Sequence, residues 1–466
     1  MKKMSDLPEL NKMLSVMQGN EFATEMKALK PRWKRAHYRA CFNHLTQFRF
    51  QENPLKSEDT RLDKVKPLIE AFHQLCSAKD WGRACELLTV RIGSFTMEEF
   101  HQQLYTWGYY QELIKLYTPL LGKLKPHINV IFLNGLAGIY DSLGDYHKAM
   151  TYHNQRLATA QKINYRLEEC RTLRDIGTIY CAISHYEQAI AYYNQSLVIA
   201  QEIDDKAEKG KTLGALHVVY ESKGNYRQAI EYAKQHLTIA QQMNDVAEIG
   251  KALNNLAAID IGLENYHQAE KTLQQSLKLA QEIEDRFEEG KVLGNLGIVY
   301  NHLEKIQLAI SYHRRELEIA KEIGDRQGEA MALGSLGKAY HAQEQYHQAI
   351  SFFKDCLSLT QTIGDRRGES TTFWNLGNTL FELGHDVEAL ENLQLALKIE
   401  REIGNRSSES LTLYTLAKVY HKLGDLKQAQ NDCHQALEIA TELDIPLAKK
   451  CQELKEKLLS ETTVAK

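Results

Sequence analysis

Four basic side chains, Arg171, Lys211, Lys251 and Lys291, follow one another at intervals of 40 residues. Cations repeated at a fixed step on one face form a ladder, which suits charge-assisted hydrogen bonding to an extended acidic segment. This is binding chemistry rather than bond-making chemistry. Catalytic signatures are weak by comparison. Gly210-Lys211-Thr212 matches the end of a phosphate-binding loop, but Asp205 stands where that loop needs a glycine, and the segment opens a helix instead of following a strand. The 18 histidines show no His-Glu-x-x-His spacing and the eight cysteines no Cys-x-x-Cys. No metal, cofactor or enzymatic activity is therefore expected.

The ladder needs elements that repeat at the same step, and the chain supplies them. Tyr140, Tyr180, Tyr220, Tyr300, Tyr340 and Tyr420 share the 40-residue interval. So do eight alanines from Ala149 to Ala429 and eight leucines from Leu157 to Leu437. Leu293, Leu296 and Tyr300 recur at helical spacing, as do Ile306, Ala309, Ile310, Leu317 and Ala320 in the following stretch. Each period thus reads as two amphipathic helices. Asp205, Asp245, Asp285, Asp325, Asp365 and Asn405 are N-cap candidates, and Gly324, Gly364 and Gly404 fit the position after a helix end. A unit that cannot bury its apolar face alone must stack on its neighbours, giving an all-α solenoid.

Prolines mark the limits of the array. Pro8, Pro31, Pro54, Pro67, Pro119 and Pro126 precede it, Pro446 follows it, and none lies between. The expected division is a basic N-terminal segment 1–60, eroded helical repeats 61–125, eight 40-residue units 126–445, and a capping helix and tail 446–466. In the first segment Lys27, Lys30, Arg32, Lys34, Arg35 and Arg39 surround Trp33 and Tyr38; a solvated helix face packed on the first hairpins is the favoured reading. A net charge of −4 argues against nucleic acid as a partner. No run reaches the length of a membrane span, and scattered thiols point to a reducing, cytoplasmic setting.

Leu-Gly-x-x-Tyr in the first helix, then Gly-x-Tyr-x-x-Ala and a late leucine in the second, resembles the tetratricopeptide repeat. Leu293-Gly294-Asn295-Leu296-Gly297 and Glu322-Ile323-Gly324-Asp325-Arg326 look like its long subtype, found in Leu-Gly-Asn-repeat (Pins-type) adaptors and bacterial signalling proteins. The resemblance implies a right-handed superhelical α-solenoid whose ligand contacts come from motif positions two, five, nine and twelve of the first helices. Position two is the ladder Arg171, Lys211, Lys251 and Lys291. Position nine reads Lys338, Asn378 and Lys418 in the last repeats, position twelve His341, Phe381 and His421, and position five Trp374 and Tyr414. Large aromatics there could anchor a partner or pack between helices. Val218, Ala258, Ile298 and Ile261 make the centre of the wall apolar. Only Asn378 keeps the asparagine that Pins-type adaptors carry at position nine, and no repeat holds the carboxylate-clamp pairing of chaperone-binding arrays.

Two functions follow from this pattern. One is a non-enzymatic adaptor that holds an extended or helical segment of a protein or peptide, acidic where it meets the ladder, in a concave groove. The alternative is a peptide- or ligand-responsive sensor, in which the array acts on an effector through the N-terminal helical region. His217, in place of a small residue at a helix crossing, and Asp260, in place of a core tyrosine, predict a loosened superhelix at repeats 3–4.

Overall fold

The computed structural model describes residues 12, 32–49, 61–92 and 98–464. Among these the chain is helical throughout, apart from an isolated bridge between Arg91 and Glu99. By their contacts the residues form two units, Met1–Ile139 with Ile323–Asp325, and Tyr140–Glu322 with Arg326–Lys466.

In the first unit α1 (Arg32–Arg49) packs on α2 (Arg61–Ser77). Tyr38, Cys41 and Leu45 are buried on one side and Leu68, Phe72 and Leu75 on the other. The Tyr38 hydroxyl donates to Asp80 at 2.7 Å. Asp80 in turn accepts the Arg83 amide at 3.1 Å and so caps α3 (Trp81–Leu88). One member of the basic-aromatic cluster is thereby committed to packing, whereas Trp33 is exposed. Lys27 and Lys30 lie outside the described residues. A second short pair follows, α4 (Phe100–Thr106) and α5 (Tyr110–Tyr117).

Sixteen helices of 17 or 18 residues come next, in eight hairpins: α6 (Pro126–Ser142), α7 (Tyr146–Lys162), α8 (Arg166–Ala182), α9 (Tyr186–Glu202), α10 (Lys206–Ser222), α11 (Tyr226–Gln242), α12 (Val246–Gly262), α13 (Tyr266–Glu282), α14 (Arg286–His302), α15 (Ile306–Ile323), α16 (Arg326–Ala342), α17 (Tyr346–Ile363), α18 (Arg366–Leu383), α19 (Asp386–Ile403), α20 (Arg406–Lys422) and α21 (Leu426–Glu442). A last helix, α22 (Leu447–Val464), places Cys451, Leu454 and Leu458 against Ala417, Ala429 and Cys433 of the final hairpin and its neighbours.

Local chemistry sets the helix ends. Asp205, Asp245 and Asp285 accept the amides of Glu208, Glu248 and Glu288 at 2.9, 3.1 and 3.0 Å. Asp365 and Asn405 do the same for Gly368 and Ser408. Each such cap contributes roughly 1 kcal/mol. Gly364 and Gly404 close their helices in the left-handed region, at φ 77° and 73°.

Within the second unit the helix crossings are matched in volume. A side chain on Gly177, Gly297, Gly337 or Gly377 would collide with Tyr193, His313, Phe353 or Leu393, sixteen residues on. At repeat 3 the pair is inverted: His217 is buried and Ala233, sixteen residues on, is the small partner. The expected excess of bulk at His217 is therefore absent, because total volume is conserved. Asp260 also differs from its expected role. The tyrosines of its motif position stack on an aromatic ring twelve residues on, at 5.2–5.5 Å for Tyr140, Tyr180, Tyr220, Tyr300 and Tyr340. Asp260 is half-exposed, so repeat 4 loses a stacked pair without gaining a buried charge.

Candidate partner-binding groove

All four ladder residues sit on the first helices, half-buried at Arg171 and Lys251 and exposed at Lys211 and Lys291. They are not bare charges. Each faces a glutamate three residues into its own helix or the next: Arg171 meets Glu208 at 2.9 Å, Lys211 meets Glu208 at 3.6 Å, Lys251 meets Glu248 at 2.9 Å and Lys291 meets Glu288 at 3.9 Å. Glu208 and Glu288 are buried. They belong to a second 40-residue series, Glu168, Glu208, Glu248 and Glu288. Its carboxylates lie in the first helical turn, where the amide dipoles favour negative charge. The ladder is thus a row of cations held in place by a deeper row of anions.

Repeat 2 carries the densest part. Arg156 spans Glu168 and Asp175, each at 2.7 Å, and Arg174 reaches Asp175 and Glu208. Burial pushes the Asp175 carboxyl up, but Arg174 and Arg156 more than offset it and leave it below the usual range.

In repeats 3–5 the wall opens into a cavity of about 420 Å³ lined by Lys211, Lys251, Lys291, Glu248, Glu288, Asn254, Asn255, Gly214 and His236. His236 comes from the second helix of its hairpin and is buried. Its Nε2 is 3.2 Å from Glu248, and that contact, with Lys251, holds the Glu248 carboxyl down at about 2. Its Nδ1 is a buried atom with no hydrogen-bond partner. Nδ1 faces Gly214, where a Cβ would stand 3.1 Å away. Nearby, Asn295 donates to Asn254 at 2.7 Å and Asn254 to Glu288 at 3.0 Å. The centre of the wall carries exposed Val218 and Ile298 and half-buried Ala258 and Ile261, as their motif positions suggest.

The residues of the last repeats are placed differently. Trp374 donates through Nε1 to Thr415 of the next repeat at 3.1 Å and packs on the core of Leu393, Leu416 and Val419. Phe381 joins that core, and Lys422 lies 4.5 Å from its ring centroid. Tyr414 packs beside Leu413, Ala436 and Cys451. His341 pairs with Thr379 at 3.0 Å, and His421 with Glu461 of α22 at 2.6 Å. Asn378 is half-buried. Lys338 and Lys418 are exposed, although the enclosing wall desolvates Lys338 and lowers its pKa.

Sequence reasoning missed His236, Arg156, Arg174 and the glutamate row. The glutamates carried a legible 40-residue signal. His236 carried none, since it shares its motif position with Arg156, Ser196 and Ser276. Among the described residues no group of three or more His, Cys, Asp or Glu side chains could hold a metal, and no helix is long and apolar enough to cross a membrane.

The sequence matches the model of the tetratricopeptide repeat at residues 128–202, 168–242, 248–322, 288–362 and 328–402, and a second model of the same repeat at 412–442. No curated protein matches the chain. Among solved structures, a Rap protein complexed with Competence and Sporulation Factor is similar at 16% identity and a TM-score of 0.52, over 82% of this chain and 99% of that one. A signal transduction ATPase with numerous domains from Pyrococcus horikoshii, which has a tetratricopeptide repeat sensor, is 15% identical with a TM-score of 0.44, over 94% of this chain and 67% of that one.

Proposed function

The chain belongs to the tetratricopeptide repeat family, and we propose that it is an adaptor whose first helices hold an extended acidic segment of a partner protein. The observation that carries this reading is the cavity in repeats 3–5, where three ladder lysines surround a buried histidine with an unused ring nitrogen. Arg171, Lys211, Lys251 and Lys291 supply the charge. An incoming carboxylate shares each cation with the glutamate beneath it, so the lysines need not give up their existing pairs. Lys338, Asn378 and Lys418 extend the polar surface. Trp374, Phe381, Tyr414, His341 and His421 shape the wall by joining neighbouring repeats. The protein acts in the cytoplasm, which its eight free cysteines fit, and needs no cofactor.

Two observations favour the sensor alternative. The residues divide into two compact units, and a Rap protein of similar fold is complexed with Competence and Sporulation Factor. In that reading repeats take up the ligand and residues 1–125 pass the change to an effector.

Charge reversal at Arg171, Lys211, Lys251 and Lys291 tests the adaptor reading, with calorimetric titration of an acidic peptide as the readout. A large loss of affinity is expected; unchanged affinity removes the ladder. Expressing residues 126–466 alone separates the two readings. The adaptor keeps both partner binding and cellular activity, whereas the sensor keeps binding and loses activity.

A further inference from the structure

Stacking of neighbours accounts for most contacts in a repeat protein, but in the second unit the chain also meets itself far along the sequence. Gly144 lies in the turn inside the first hairpin. A Cβ there would stand 3.2 Å from Cβ of Arg366 and 3.8 Å from the Arg367 nitrogen, and Leu143 lies against Gly364. One repeat on, the Ser407 amide donates to Ser184 Oγ at 3.1 Å across 223 residues, and Ile183 lies against Gly404. One repeat further, Pro446 presses on Gly224, where a Cβ would be 2.8 Å away. In each case a turn inside one hairpin meets the link that follows a later one, about five and a half periods on. The seam has its own buried core: Tyr146, Ile179 and Ile403 form one cluster, and Tyr186, Leu216 and Ile445 belong to another.

Its effect shows at one motif position, where the second helix ends. Ile363 and Ile403, in the seam, are 5% and 8% exposed, whereas Met243 and Ile283, in repeats 3 and 4, are 39% and 40% exposed. The same motif position thus ends in opposite environments, and the residues packed over it in the seam account for the difference.

We propose that this seam is a latch that closes the superhelix of the second unit on itself. It joins repeats 1–3 to repeats 6–8 as one cooperative body, with repeats 4 and 5 as the span between them. A purely nearest-neighbour array would unfold from either end. A latched one transmits a change at the turn of repeat 3 to the link before α22, 222 residues away, without passing through repeats 4 to 8. The inference rests on the turns and links alone and is independent of what the groove binds.

Gly224→Glu tests it by hydrogen exchange on the full chain. Glutamate is native to the same turn position at Glu264, Glu304 and Glu344, with φ of 63°, 59° and 59°. The local turn therefore accepts it, and contact with Pro446 is what it disturbs. The latch predicts that the amides of 443–445, 447–448 and 403–407 exchange at least about tenfold faster, with helix content and amides 263–266 unchanged. The matched variant Glu264→Gly leaves the seam amides as they were. Ser184→Gly removes the bond from Ser407 while keeping a turn that suits glycine, and raises exchange at 404–408. A disulfide between Gly144→Cys and Arg366→Cys supplies a second readout, because the two Cβ positions are close to disulfide spacing. Mild oxidation of that variant forms the bond, identified by peptide mapping. Folded variants with native exchange at 403–407, 443–445 and 447–448, or a cysteine pair that stays reduced, overturn the proposal.

Discussion

The wall of repeats 3–6 and the wall of repeats 7–8 share one motif and treat its fifth position in different ways. Gly214, Gly294 and Gly334 leave windows through which a residue of the second helix comes close: His236, Glu316 and Cys356. Trp374 and Tyr414 plug the same window with a ring that reaches into the neighbouring core. Small residues at this position thus bring buried polar groups of the second helix close to the groove wall, and large ones convert it into an inter-repeat joint. The two walls also hold glutamates of opposite character. Glu248, paired with His236 and Lys251, is held at about 2. Glu400 is buried and accepts a hydrogen bond from Thr412 at 3.1 Å, and desolvation, with the nearby Glu409 charge, pushes it up to about 7.

Four variants test this contrast. The largest effect is expected from Trp374→Ala, which removes a joint and lowers unfolding free energy by about 3 kcal/mol in a denaturant titration. Affinity for an acidic peptide should stay within about twofold; a larger loss would make Trp374 an anchor instead.

Glu400→Gln should stabilise the protein at alkaline pH. A carboxyl whose folded pKa is raised favours the folded state fully below its unfolded pKa, and that contribution is lost as pH rises through the folded value. The variant therefore matches the parent near pH 4.5 and gains stability through pH 7, reaching about 3 kcal/mol above it. Melting curves at pH 5 and pH 8 check both sign and size. Glu248 has the reverse sign, with stability present above its unfolded pKa and lost as pH falls toward 2.

Reversal of the four ladder charges comes next, at about a hundredfold in affinity, or ~2.7 kcal/mol. Added salt should weaken the parent more than the variant. The smallest effect belongs to Gly214→Ala. Its methyl group would sit against His236 Nδ1 and close one window, costing about tenfold in affinity, with stability changed by less than about 1 kcal/mol.

The sequence exposed whatever depends on neighbours in the chain or on the period. Helical hairpins, the caps at Asp205, Asp245 and Asp285, and the small residues at the crossings were all legible. So was the ladder, as a row of cations on one face. What lies beneath the ladder was legible in part: Lys211–Glu208, Lys251–Glu248 and Lys291–Glu288 are three residues apart in one helix, whereas the Arg171–Glu208 pair depends on side-chain reach from one repeat to the next. Volume exchange was missed at His217, since its partner Ala233 reads as an ordinary helix former. Residues 1–60 carried a composition signal only, and the structure ties down Tyr38 through Asp80. The seam was illegible for a deeper reason. It follows from the sum of small rotations between successive hairpins, which no single residue records.

Selection of peptides from a random displayed library on the full-length chain tests the groove most directly. The account predicts that enriched sequences are acidic and extended, bind one per chain, and lose binding when Arg171, Lys211, Lys251 and Lys291 are reversed. Enrichment of basic or apolar sequences, or of acidic ones indifferent to that reversal, would contradict it.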